Sequence, residues 1–240
     1  CLSLDEWDNV GRLDSILEPY HKGEDLRPWL RCMMENIQIN DRWSVTLGPD
    51  YSDVTYQVLE ASVGLARPLI ELRVTDEMPE SLWELSAKRI LQGGGQPAFY
   101  NEQAIRQRLC GRIPHLTQED VLEFSGGGCT ETSFAGCTYS GGTDNEINVL
   151  KIFEGYMYES LPNCSSFEEF YNNFITVLRK EQDLQMEAIN NYWNERAQKC
   201  FAPIRTLFID DCIDKETGWF QGGARYTFSI HCDSGIPNTL

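Results

Sequence analysis

Eight consecutive residues, Ser125-Gly126-Gly127-Gly128-Cys129-Thr130-Glu131-Thr132, set a thiol and a carboxylate two positions apart behind three glycines. Glycine lets a backbone turn tightly and approach another chain closely, so this run can present the Cys129 sulfur at the tip of a loop. On an extended tip, residues i and i+2 point to the same side, which places Glu131 in the same cavity as the sulfur. One chemistry open to such a pair is nucleophilic, with the glycine-rich backbone as oxyanion hole in a hydrolase or transferase. That reading lacks a matching histidine base: His21, His115 and His231 are the only histidines, and none sits in a recognisable pairing with a nucleophile. The plain alternative is a loop with a buried structural thiol, because free cysteine is among the most buried residue types.

The other cysteines do not form a ligand set. Nine are scattered along the chain without a CxxC pair, which suggests reduced thiols and no metal. Cys137 stands eight residues after Cys129, a spacing that fits no usual zinc pattern. Cys137, Cys212 and Cys232 therefore read as structural thiols. Twenty Lys and Arg face 37 Asp and Glu, and a formal charge of −17 repels a phosphate backbone or an anionic membrane surface. With no apolar run long enough to span a bilayer and no signal-peptide pattern in Cys1 to Asp8, the expectation is a cytoplasmic protein that binds neither nucleic acid nor membrane. The chain opens on Cys and stops at Leu240 without a polar tail, so it reads as a fragment.

Alternating helices and strands must position the thiol. Leu26, Trp29, Leu30, Met33, Met34 and Ile37 recur at helical spacing, with Pro28 tolerated in the first turn. A second helix through Val54, Val58, Ala61 and Leu65 feeds a strand, Leu69 to Val74, in which apolar and charged residues alternate. A third helix opens at Pro79 and stops at Gly93-Gly94-Gly95; a strand, Ala98 to Tyr100, precedes a helix capped by Asn101. Thr117 with Asp120 marks a capped helical start before the glycine run, and a helical pattern follows that run. Ser166 with Glu169 starts the longest helical stretch, to about Lys199, as one long helix or two with a kink; strands are expected at Ile204 to Ile209 and Ala224 to Ile230, with a turn at Gly222-Gly223 between them. The alternation predicts an α/β layer or barrel, and periodicity does not choose between them.

Four motifs, the glycine-cysteine run among them, occur in an order that matches a known family. Gly95-Gln96-Pro97-Ala98-Phe99-Tyr100-Asn101-Glu102 resembles the G-x-P-x-x-x-N-D/E segment of glycyl radical enzymes related to pyruvate formate-lyase, and Gly128-Cys129-Thr130-Glu131 resembles their G-C-x-E loop. Asn148 to Glu154, reading NVLKIFE, is similar to their N-x-x-K-x-x-E helix. Asp211-Cys212-Ile213 with Gly222-Gly223-Ala224-Arg225-Tyr226 resembles a later D-C-I and G-G-A-x-Y pair, and Leu13-Asp14, Pro19-Tyr20 and Leu47-Gly48 fit the upstream pattern. The resemblance implies that residues 1–240 are part of a ten-stranded α/β barrel with the active cysteine on an internal loop.

It also implies a reaction: a thiyl radical on Cys129 takes hydrogen from a small-molecule substrate, and Glu131 acts as general acid or base, its burial favouring the uncharged form. The family's cofactor is a glycyl radical borne by the protein itself in an R-V-x-G-F/Y motif, installed by a radical-SAM activating enzyme. No such motif occurs here, so the glycyl radical domain lies outside this chain and the 240 residues alone are expected to be catalytically incomplete. A homodimer, as in relatives, stays open. Pyruvate formate-lyase itself carries two adjacent cysteines and no glutamate in its loop; G-C-x-E typifies dehydratase, carbon-nitrogen lyase, carbon-sulfur lyase and decarboxylase members, so acyl transfer is disfavoured. Relatives usually place Pro after the Glu, where this chain has Thr132. Glu146 falls near a carboxylate-binding arginine of pyruvate formate-lyase, and an acid there favours a cationic or hydroxylated substrate. A barrel remnant without the radical is the non-catalytic alternative.

Overall fold

The computed structural model describes residues 9–39, 44–127 and 131–239. The chain divides into two compact units, residues 1–138 and 139–240. In the first, β1 (Asn9–Arg12) runs into α1 (Leu13–Leu17) and then α2 (Arg27–Ile39). Next come β2 (Ser44–Leu47) with α3 (Asp53–Ala61), β3 (Leu69–Val74) with α4 (Glu80–Leu91), and β4 (Ala98–Asn101) with α5 (Glu102–Cys110). The strands are parallel and bonded in chain order, β1-β2-β3-β4. Each crossover steps to the next neighbour, which is how a barrel wall is wound.

The two faces of this sheet differ. Val45, Leu47, Ile70 and Leu72 are fully buried against Met34 of α2, Val54 and Val58 of α3, and Leu82 of α4. Burial of this kind contributes about 1.5–3 kcal/mol per large aliphatic side chain. Because strand side chains alternate, Ser44, Thr46, Glu71 and Arg73 fall on the opposite face, and they are buried as well. A buried polar face opposite a helix-covered apolar face suits a barrel whose interior is used for chemistry.

Local chemistry explains the joints. Asn101 Oδ1 accepts from the Ala104 amide at 2.8 Å, capping α5. Gly93, Gly94 and Gly95 all take positive φ, 98°, 94° and 63°, and α4 ends before them. Gly48, at φ +79°, passes so close to the Arg73 carbonyl that a Cβ would stand 2.8 Å from it. Its amide donates to buried Asp14 Oδ2 at 2.6 Å, and Thr55 Oγ1 donates to the same oxygen at 2.7 Å. The upstream Leu13-Asp14 and Leu47-Gly48 pairs are thus two halves of one joint.

Arg89 on α4 is only 1% exposed, yet none of its three nitrogens has a hydrogen-bond partner among the described residues. Burial holds its pKa below the usual arginine value. Replacing an unpaired buried cation by an apolar side chain of similar length removes a desolvation cost. Arg89→Met is therefore expected to hold or raise the thermal unfolding midpoint of the full-length protein; a clear fall would mean that the guanidinium has a partner.

In the second unit, β7 (Thr138–Asn148) and β8 (Tyr226–Ser234) form a two-stranded sheet. Between them lie α6 (Val149–Ser160), α7 (Phe167–Lys199) and α8 (Pro203–Phe208), and α9 (Ile236–Thr239) follows β8. The long helix runs unbroken, with Ser166 Oγ accepting from the Glu169 amide at 3.1 Å at its start. Phe170 and Phe174 pack with Tyr156 of α6, while Tyr139, Trp219 and Ala224 form a separate cluster against Trp193.

The segment expected as a strand at Ile204 to Ile209 is instead helical. Pro203 supplies a preset φ at the first position, and Thr206 turns both its amide and its hydroxyl onto the Ala202 carbonyl, at 2.9 and 2.8 Å. A six-residue segment with four apolar side chains carries too little periodicity to tell the two apart. The strand expected from Ala224 starts two residues later and extends to Ser234. Among the described residues, no helix is long and apolar enough to cross a membrane.

Candidate active site

The glycine run forms the stems of a hairpin. β5 (Phe124–Gly127) pairs antiparallel with β6 (Glu131–Phe134), Gly126 opposite Thr132 and Gly127 opposite Glu131. Residues 128–130, and with them Cys129, lie outside the described residues. Sequence reasoning expected a helix on either side of the run. A single 3₁₀ turn, Asp120–Glu123, precedes it, with Thr117 Oγ1 accepting from the Asp120 amide at 2.9 Å as the expected cap. A strand follows it. Ser125 and Ser133, paired across the ladder with their hydroxyls 2.9 Å apart, give the stems a short polar rung of their own.

The hairpin rests on the polar face of the parallel sheet. Asn9 Nδ2 donates to the Gly126 carbonyl, and Ser44 Oγ donates to the same oxygen at 3.4 Å. Beneath Gly126 sits Glu71: a Cβ on Gly126 would stand 2.5 Å from Glu71 Oε2. A side chain at this position would force the carboxyl to shift. Thr46 Oγ1 donates to Glu71 Oε2 at 2.8 Å, while buried Oε1 has no hydrogen-bond partner. Burial first, and then the like charge of Glu131, push the Glu71 carboxyl up to about 7.

Two arginines hold the base of the hairpin. Arg73, whose side chain is wholly buried, forms a bidentate pair with Glu102, 2.7 Å on each arm, and also donates to the carbonyls of Leu122 at 2.6 Å and Phe124 at 3.1 Å. Arg12 donates to Leu122 O at 3.2 Å and to Glu123 and Asp50, both at 3.0 Å. The G-x-P-x-x-x-N-E segment therefore has a physical content. Gln96 accepts from the Ile70 amide and donates to Ala66 O, fixing the start of β3, while Asn101 caps α5 and Glu102 neutralises Arg73.

Of the residues singled out from sequence, Glu131 is half-buried at the head of β6 and Glu146 is exposed on β7 in the second unit. The carboxyl that meets the expected desolvation is Glu71, which sequence reasoning passed over. Its signal was present in the Leu69 to Val74 alternation, where a charged residue recurs in a strand bounded by helices on both sides. Cys137 and Cys212 are buried thiols and Cys232 is half-buried. Among the described residues no group of three or more His, Cys, Asp or Glu is placed to hold a metal ion.

Motifs of the second unit also meet in space. Asn148 Oδ1 accepts from the Lys151 amide at 2.9 Å, opening α6. Asp211 pairs with Arg225 at 2.8 Å, and Gly223 lies so tightly on Thr217 and Cys212 that a side chain there would overlap both. The D-C-I and G-G-A-x-Y pieces are one packed turn, as the turn reading of Gly222-Gly223 expected. A family model described as pyruvate formate lyase-like matches residues 48–240. The chain belongs to this family.

Proteins of known structure share its fold. The glycerol-bound form of the B12-independent glycerol dehydratase from Clostridium butyricum superposes with a TM-score of 0.84 at 21% identity, over 94% of this chain and 34% of that one. A glycyl radical enzyme from Archaeoglobus fulgidus gives 0.81 at 22% identity, over 97% and 36%. The trans-4-hydroxy-L-proline dehydratase of Clostridioides difficile is 27% identical over 93% of this chain. The chain spans about a third of that relative's length, 34%. The α/β architecture is thus part of a glycyl radical enzyme barrel, and the four-stranded parallel sheet is a stretch of its wall.

Proposed function

We propose that these residues are the thiol-bearing part of the barrel in a glycyl radical dehydratase. In this reading Cys129 becomes the thiyl radical that abstracts hydrogen from a small hydroxylated substrate, and Glu131 moves a proton during loss of water. The observation that carries it is the pairing of Gly127 with Glu131 at the end of stems seated on a buried, polar barrel face. That placement suits radical chemistry, which needs water excluded and the substrate hydrogen held close. The dehydratase class is supported by the G-C-x-E sequence and by relatives named for dehydration of hydroxyproline and for glycerol dehydratase.

A glycyl radical outside these 240 residues, installed by a radical-SAM activating enzyme, supplies the abstraction that generates the thiyl. The described surroundings fit a partner thiol: the sheet face under the stems is buried, and Gly126 packs directly against the Glu71 carboxyl. The chain's own work is to seat the hairpin, orient the substrate and handle protons. Residues 1–240 form a portion of the barrel domain in this reading, and the glycyl radical domain is a separate part of the full-length protein. Glu146, exposed on β7, is assigned the acid that favours a hydroxylated or cationic substrate.

The test uses the full-length protein, activated without oxygen and offered glycerol and trans-4-hydroxy-L-proline separately, with Glu146→Gln as a second arm. Loss of water from a hydroxylated substrate, abolished by air, is expected, and Glu146→Gln is expected to change the substrate preference. Turnover in air by unactivated protein would replace the radical reading with ordinary thiol chemistry; an unaltered preference in the variant would remove Glu146 alone.

A further inference from the structure

Glu71 differs from the other buried acids of the first unit. Asp14 has its oxygens bonded to the amides of Gly48 and Ser15 and to Thr55, Glu102 gives both of its oxygens to Arg73, and Asp120 accepts from Thr117 Oγ1 on one oxygen and from the Cys137 thiol on the other. Glu71, 2% exposed, has Thr46 at 2.8 Å and Asn9 Nδ2 at 3.5 Å on Oε2, and nothing on Oε1. What covers it is the backbone of Gly126, and the Gly126 carbonyl is held in turn by Asn9 and Ser44. The floor and the grips of the hairpin stem are therefore one cluster. We propose that Glu71, in its uncharged form, is a positioning residue for the reaction proposed above: it floors the seat that Asn9, Ser44 and Thr46 make for Gly126, and so fixes where the stem delivers its tip.

This inference rests on the radical reading and deepens it. An ionised Glu71 would carry a buried charge with one oxygen lacking a donor, and the hydrogen bonds from Thr46, the Gly126 backbone and Ser44 offset its desolvation only in part. The charged and titratable groups around it do not offset that cost. On β1, Asn9 is neutral and Arg12 is turned to Asp50 and Glu123. On β2 the neighbours are Ser44 and Thr46, and on β3 Arg73 is committed to Glu102. Ala98 of β4 is its register partner, β5 presents Gly126, and β6 contributes Glu131, of like sign. With the carboxyl pushed up to about 7, Glu71 is neutral below that pH and ionises above it. The seat is intact on the acid side and loosens on the alkaline side.

In activated full-length protein, kcat should fall about tenfold per pH unit well above 7, the slope of a single ionisation, with KM little changed. Glu71→Gln cannot ionise, so its alkaline limb should disappear, and a merely structural role would not produce that. Thr46→Val removes a hydrogen bond that favours the ionised form and should move the limb to higher pH; it keeps the test open if the glutamine variant does not fold. Gly126→Ala, which drives a Cβ onto the carboxyl, should cut kcat by about 10²-fold with the glycyl radical signal unchanged. An alkaline limb that stays in place in Glu71→Gln and in Thr46→Val would overturn the proposal. So would a folded Glu71→Gln that is inactive at every pH, since the carboxyl would then act as a proton carrier. A Cys129→Ser control separates the two readings: if it turns over, the radical reading fails; if it is silent while the Glu71 profile does not move, the seat alone fails.

Discussion

Cys129→Ser in the activated full-length protein is expected to lower turnover by a factor on the order of 10⁴ or more, the scale seen when the group that performs the chemistry is removed. Serine matches cysteine in shape, so the barrel should be left intact. Its O–H bond is much stronger than S–H, and a carbon radical that takes hydrogen from a thiol does not take it from an alcohol. The expected signature is therefore divided: the glycyl radical signal forms on activation, and product does not. A variant that forms the radical and still turns over would remove Cys129 from the mechanism. General acid or base catalysis by Glu131 is worth roughly 10² to 10⁴, so a loss confined to that range would point to a proton-transfer role and away from a radical on the sulfur.

How much of this was legible in the sequence depended on element length and on which face a pattern exposes. The span of α7, its Ser166 cap and the bounds of β3 followed from periodicity and capping chemistry, because each runs long enough for the period to declare itself. β1 and β2, four residues each, are too short to show alternation, and Gly11 interrupts the first. The α8 segment reads as either template because the six residues after Pro203 carry only four apolar side chains, Ile204, Leu207, Phe208 and Ile209, too few to declare a period. The hairpin stems escaped because glycine and serine have weak strand preference, and their pairing is set by contact with the sheet beneath.

The site divides in the same way. Cys129 and Glu131 were recognisable as a motif, a matter of order and spacing. Glu71 belongs to no motif, and its importance arises only when the wall is assembled, with Thr46 on one neighbouring strand and Gly126 above. Alternation in LIELRV established that two faces differ. It could not say that the charged face points inward, because a half-exposed antiparallel strand has the same pattern.

Glu102→Ala is expected to have the largest effect on stability, about 3–5 kcal/mol, the cost of leaving one member of a buried pair without its partner. Arg73 has no exposed side-chain surface, and the two carbonyls it also serves, Leu122 and Phe124, cannot neutralise its charge. The loss should register in urea titration of the full-length protein read by limited proteolysis around β3 to β6. Because the same guanidinium holds the base of the hairpin, activity should fall further than the unfolded fraction accounts for. Arg73→Met combined with Glu102→Leu should recover much of the stability, since a buried ion pair and an apolar pair of similar volume are often close in free energy. It should not recover the activity, because methionine cannot donate to Leu122 and Phe124. Recovery of both would mean that the stems are placed by Asn9, Ser44 and Glu71 alone, and that the arginine serves only the fold.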